Sequence, residues 1–284
     1  MFFAEFAPPP RLAAFLHCIW VFEADHGAAA EAQRIVPDGH PELLLHYGDP
    51  FLEYDGSASG AGEQSRLVFA GQITGPLLLQ PGRRAGVIGV RFRPAGARAL
   101  LGELPPLHEL LDARLDLATP WGQAGESLLD EIHEAAEARA RVAIVERFLL
   151  RRLDQVRHQP DAAVSAGVRA LQASEGELSI DALAASCEMS GRQLERRFRA
   201  EVGVPPRLLA SILRFRRVFD RLESPQAGRW VEAALAAGYF DQAHMVRDFR
   251  RFAGLPPAAF HRSLQGLSAA MVGAADVGFV QDPG

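Results

Sequence analysis

Two groups of residues have types and spacing that could do chemistry. The first is Arg192, Glu195, Arg196 and Arg199, spaced i, i+3, i+4 and i+7. The second is Ala243, Val246, Arg247 and Arg250, with Gln242 and His244 beside them. On a helix each group falls on one face. A guanidinium donates two parallel N–H groups, which match the acceptor pair on a guanine edge or the oxygens of a phosphate. Gln does the same for adenine, and a small apolar group can touch a thymine methyl. Glu195 could accept from a cytosine amino group, or pair with Arg192 or Arg199. The chemistry on offer is hydrogen-bonded recognition rather than bond making.

The elements that carry these residues are written twice. "LERRFRAEVGVPPRLL" (194–209) and "MVRDFRRFAGLPPAAF" (245–260) align at an offset of 51 residues, which sets Leu194 over Met245 and Phe198 over Phe249. Gly203 then meets Gly254, and Pro205-Pro206 meets Pro256-Pro257. Carried backward without a gap, the register sets Ser190 over Asp241, Ile180 over Val231, and Leu183-Ala184 over Ala234-Leu235. Each copy reads as an alanine-rich helix, a tight turn, an N-capping Ser190 or Asp241, and a second helix ended by glycine. Prolines then open a third helix. Helix, tight turn, helix is the helix-turn-helix pattern. Leu194 with Phe198, and Met245 with Phe249, make the buried stripe opposite the arginines.

Between the copies, "PPRLLASILRFRRVFDRL" (205–222) reads as a rod of about 25 Å at ~1.5 Å per residue. That could separate two heads by nearly the ~34 Å between successive major-groove faces. Its Arg214, Arg216, Arg217 and Arg221 could meet phosphate or simply be solvated. Residues 160–265 hold 15 Arg against 12 acidic residues, a balance of +3 in a chain whose formal net charge is −5. The basic excess therefore lies with the doubled heads, as phosphate binding wants.

The 284 residues, 48% hydrophobic and 23% charged, exclude a disordered chain and allow two cores. Cys18 and Cys187 are far apart, which rules out a disulfide framework and favours a reducing cytoplasm. Both read as core. No uncharged apolar run reaches the ~18–20 residues that span a bilayer, so no membrane is expected.

Residues 1–118 favour strands: "FLHCIWVFEAD", "ELLLHY", "RLVFAGQI", "LLLQ" and "VIGVRFR" are short apolar runs between turn signals. "PAGARALLG" reads as a short helix ending at Gly102. Residues 119–159 read as a linker of two helices, with Thr119 as N-cap and "HQPDA" (158–162) as hinge. The tail, 266–284, contains one small apolar knot, Val277 to Val280, and reads either as a docked segment or, more plainly, as a frayed terminus. His40, Glu42 and His46 would share one face of a strand, which leaves open a metalloenzyme with a helical appendage. A helical module that binds another protein is a further alternative. No nucleophile–base pattern or phosphate-binding glycine loop stands out, so no catalytic residue, metal or cofactor is assigned.

The second copy resembles the AraC/XylS family of bacterial transcription regulators. The resemblance lies in Ala234, Gly238-Tyr239, Asp241, Arg247-Asp248-Phe249-Arg250, Phe252, Gly254 and Pro257, and it extends over 163–264. Cys187, where a small residue is usual, and Glu195, on the reading face, depart from the pattern. The stretches "VPDGHPELLLHYGDPF", "FAGQITGPLLLQPG" and "GVRFRPAGARALLG", with Trp121-Gly122, are similar to the sensor-type domain of one subgroup.

The resemblance implies a multidomain α+β protein. A β-rich, cupin-like sensor or dimerisation domain (1–118) and a helical linker (119–159) would precede an all-α domain with two helix-turn-helix units (160–265) and a tail. Arg192, Gln193, Glu195, Arg196, Gln242, Ala243, His244, Val246 and Arg247 would read base edges. Ser190, Arg199, Arg250 and Arg251 would hold phosphates. Double-stranded DNA is the expected partner, together with a small-molecule effector, RNA polymerase for an activator, and a second copy in a homodimer.

Overall fold

The computed structural model describes residues 1–26, 30–54, 61–102, 104–222, 234–235, 237–264 and 266–273. Val231, the side chain of Arg221 and the knot at 277–280 lie outside the described residues.

The N-terminal strands form two antiparallel sheets. In chain order they are β1 (Phe2–Phe6), β2 (Leu16–Asp25), β3 (Gln33–Ile35), β4 (Glu42–His46), β5 (Leu52–Tyr54), β6 (Ala61–Glu63), β7 (Leu67–Ala70), β8 (Leu77–Gln80), β9 (Arg84–Phe92) and β10 (Arg114–Asp116). The larger sheet runs β1-β2-β9-β4-β7-β10 and the smaller β3-β8-β5-β6. Alternation decides which face each residue serves. Cys18, Trp20 and Phe22 of β2 pack toward the small sheet with Ile35 and Leu79. Ile19 and Val21 pack with Ile88 and Val90 against helices on the other face. Because β2 and β9 are covered on both faces, they read as nearly unbroken apolar runs.

Those covering helices are α1 (Ala97–Leu101), α2 (Ala118–Glu134) and α3 (Ala138–Gln155). Segment 119–159 therefore does more than link. Trp121, Leu128, Ile132, Val142, Val145 and Phe148 belong to the core of the larger sheet. Thr119 is not the cap; the helix begins one residue earlier, after Leu117, and kinks at Gly122, whose φ is 48°.

The C-terminal part is helical: α4 (Ala162–Ala173), α5 (Ile180–Ser186), α6 (Gly191–Val202), α7 (Pro206–Leu222), α8 (Gln242–Ala253), α9 (Pro257–Ser263) and α10 (Gly266–Gly273). Asp161 caps α4, accepting from the amides of Ala163 and Val164, and pairs with Arg197. Burial would raise the Asp161 carboxyl, but Arg197 and the two amides outweigh it and hold it below the usual carboxylate range. One core gathers α4, α5 and α6 around Val168, Leu183, Leu194 and Phe198. A second gathers α7, α8 and α9 around Phe215, Phe249, Phe252 and Phe260.

Of the two readings left open for the tail, helix α10 (Gly266–Gly273) is docked rather than frayed. Leu267 is 1% exposed and sits in the core between the two sheets. The Ser268 amide donates to Gln33 Oε1 at 3.0 Å, and Arg216 of α7 donates to the Met271 carbonyl at 3.3 Å. The partner that orders this helix lies more than 200 residues back in the chain, beyond the reach of local pattern.

Candidate nucleic-acid interface

The repeat is built into the backbone. α6 and α8 both hold 12 residues and start and stop at the same offset of 51. Ser190 caps α6 by accepting from the Gln193 amide at 3.3 Å, and Gln193 Oε1 accepts from the Ser190 amide at 3.0 Å, a closed capping box. Asp241 caps α8, accepting from the His244 amide at 2.6 Å. At the other ends Gly203 and Gly254 take left-handed φ values of 93° and 68°. Each donates its amide to an arginine carbonyl, Arg199 or Arg250. Leu194, Phe198, Met245 and Phe249 are fully buried, which turns the intervening residues outward.

In α6 the expected reading residues Arg192, Gln193, Glu195 and Arg196 are all exposed. Glu195 is held by Arg199 at 3.0 Å, one turn on, so this carboxylate and guanidinium form one unit. Ser190 and the Gln193 carbonyl oxygen are engaged in the cap, which leaves the Gln193 amide nitrogen outside the box. In α8, Gln242, Ala243, Arg247, Arg250 and Arg251 are exposed. Arg247 lies back along its helix, donating to the Ala243 carbonyl at 3.3 Å. Val246 is half-buried, and so is His244, which meets the Tyr239 ring edge-on at 5.0 Å. Arg251 lies over the Phe252 ring. Behind this face burial pushes up the Asp248 carboxyl and the Tyr239 hydroxyl.

The rod arginines are engaged inside the protein. Arg214 donates to the Gly176 carbonyl at 2.9 Å, Arg217 pairs with Glu175 and Glu177, and Arg216 reaches Met271. They brace α7 against α4's following turn and α10, contacts that spacing along one helix could not reveal.

One part of the sequence alignment fails. The turn ahead of α6 closes with Glu188 N to Ala185 O at 3.1 Å and Met189 N to Ala184 O at 3.0 Å. Ahead of α8 the same bonds run from Gly238 to Leu235 and from Tyr239 to Ala234. The offset there is 50, not 51. Positive φ agrees, at Glu188 and Gly238. So does burial: Ala184 matches Ala234 and Cys187 matches Ala237, all inside. The second turn therefore holds one extra residue, Phe240, between Tyr239 and the cap. Alanine-rich helices fit either register, so sequence alone could not place the slip.

His40, Glu42 and His46 do not converge. His40 Nδ1 lies 2.7 Å from the Phe92 carbonyl, Glu42 binds Arg91 at 2.8 Å and Trp20 at 3.0 Å, and His46 Nε2 faces Gln64 Oε1 at 3.2 Å. Among the described residues no group of three His, Cys, Asp or Glu is arranged to hold a metal ion. Nor is any described helix long and apolar enough to cross a membrane.

Two capped, solvent-facing helices on matched scaffolds, each with arginines at the same positions, define a double helix-turn-helix DNA-binding protein. Residues 183–263 match the helix-turn-helix domain family, and residues 4–116 match a domain of unknown function (DUF6597). Residues 183–263 are thus a helix-turn-helix domain of the kind that binds DNA.

Solved structures with some likeness include ToxT from Vibrio cholerae O395, at 10% identity and a TM-score of 0.47, covering 87% of this chain and 97% of that one. Wild-type ToxT from Vibrio cholerae strain SCE256 with unsaturated fatty acid bound gives 12%, 0.46, 87% and 95%. The AraC-like transcriptional activator CuxR gives 14%, 0.24, 84% and 97%. No curated protein matches the chain.

Proposed function

We propose that the chain binds a specific DNA site with both heads, α6 and α8 entering successive major-groove segments, under control of a small molecule held by the β-rich domain. The observation that carries this is the common 51-residue offset of the caps and bounds of two helices whose exposed residues differ. Arg192, Gln193, Glu195, Arg196, Gln242, Ala243, His244, Val246 and Arg247 read base edges. Ser190, Arg199, Arg250 and Arg251 hold phosphates. The functional division is 1–118 for sensing, 119–159 for support of that domain, 160–265 for DNA and 266–284 as the tail.

The effector site is the space between the two sheets. Trp20, Leu44, Phe51 and Leu79 supply apolar walls, and Asp38, His40 and Glu42 a polar end. Leu267 and Met271 of α10 close it, leaving about 50 Å³, far below the ~300 Å³ of a ligand pocket. An effector therefore enters by displacing α10, and Arg216 carries that displacement to the rod joining the heads. Acidic groups at the polar end favour a ligand with an apolar body and a hydrogen-bond donor. The regulator works in the cytoplasm, as a monomer or homodimer, and touches RNA polymerase where it activates. The chain itself performs no catalysis.

The test is selection of binding sites from genomic fragments with the purified full chain, followed by binding at several salt concentrations. Recovery of one site spanning two adjacent major-groove segments supports the reading. Equal affinity for all fragments contradicts it.

A further inference from the structure

Phe240 is the residue that the second turn has and the first lacks. It lies 88% exposed, directly before the N-cap of α8, beside Gln242 and Ala243. Such exposure is unlike its neighbours in the repeat: Met189, last in the shorter turn, is packed against the core of the first head, and Tyr239 is 3% exposed. Among the described residues no other ring stacks on it. The hydrogen bonds of the turn close without Phe240, because Tyr239 already makes the bond that Met189 makes in the first head. Nothing in the folding of the turn requires an aromatic side chain there.

The position is one that DNA reaches if α8 reads it. The first residues of a recognition helix meet base edges, and the backbone entering that helix lies along the phosphates. An apolar group there has one sequence-specific partner in the major groove, the C5-methyl of thymine, and Phe is among the side chains that make this contact. Gln242 and Ala243 alongside suit an A·T pair, Gln through adenine and Ala through a thymine methyl.

We propose that Phe240 is a specificity-determining contact that makes the second head prefer thymine at the base pair bordering its half-site. The proposal rests on α8 being a reading helix. It also distinguishes the heads beyond their differing helix faces, since the first turn offers no counterpart.

The test uses the full chain and a duplex that it has selected from a random-sequence pool. Each thymine of the site is replaced in turn by 2′-deoxyuridine, which deletes only the methyl group. At one or two thymines the native chain should bind about fourfold more weakly, the value expected for one methyl removed from water. Phe240→Ala should bind the thymine and uracil duplexes alike, and Phe240→Leu should retain part of the difference. Coincident melting curves confirm folding, as expected for an exposed position. The inference is overturned if no methyl effect disappears with Phe240→Ala, or if Phe240→Ala binds DNA as the native chain does and loses only activation. Arg247→Ala on the same duplex separates the two failures. If it weakens binding while Phe240→Ala does not, only the thymine contact is lost; if neither weakens binding, α8 is not a reading helix.

Discussion

Gly203 and Gly254 end α6 and α8 in the same left-handed conformation, and both press on the β-rich domain. A Cβ on Gly203 would lie 3.3 Å from the Leu107 carbonyl and from Gln72, and one on Gly254 would lie 3.2 Å from Arg34 and Pro76. Near the first contact, Arg98 of α1 holds Glu201 at 2.8 Å, with His158 at 3.1 Å on the same carboxylate. The β-rich domain thus touches both helix-turn-helix units at equivalent points. The disposition of the heads is set by that domain as well as by α7.

Alanine at either glycine should destabilise the protein by about 1–2 kcal/mol through the left-handed backbone alone. Gly203→Ala should cost more, because one of its close neighbours is a backbone carbonyl, whereas those of Gly254 are side-chain atoms, the Arg34 guanidinium and the edge of the Pro76 ring. Thermal melting of the two variants checks the order.

These ends and caps were legible in the sequence because they are local. Ser190, Asp241, Gly203, Gly254 and the Leu/Met–Phe stripes announce themselves within one turn of helix. The slip at Phe240 was not legible, since alanines pack equally at either register. The partners of Arg214, Arg216 and Arg217 were hidden for another reason: they lie on other elements, and charge at a rod surface looks the same whether it meets solvent, phosphate or Glu177. Likewise Leu267 reads as one apolar residue in a weak tail until Gln33 and the sheet core are placed around it.

Leu267→Asp should unseat α10, because an unpaired carboxylate cannot remain in that apolar core. The polarity-sensitive dye Nile red should then bind the full-length variant at least about tenfold more tightly than the native chain. Equal dye affinity, with both variants folded by circular dichroism, would mean that α10 does not occlude the space. Met271→Ala, a milder change, should move affinity in the same direction.

His46 is fully buried, and burial, with Arg66 adding to it and Gln64 opposing, pulls its pKa down to about 4 from the ordinary 6.5. The unfolded chain therefore takes up this proton first as pH falls. The stability supplied by neutral His46 is complete above about pH 6.5 and is lost between there and pH 4. By pH 4.5 the loss from this one group is roughly 2–3 kcal/mol. His46→Gln should flatten the fall in melting temperature between pH 6.5 and 4.5; an unchanged slope would assign the acid sensitivity to other groups.

The most direct measurement is the affinity of the full chain, and of Arg196→Ala and Arg247→Ala, for its selected site and for single-base-pair variants of it. Each substitution should cost about 1–3 kcal/mol on the intact site and almost nothing on DNA already altered at the base pairs that the arginine reads. An equal loss on every sequence, or no loss, would contradict the account in which the two heads read bases.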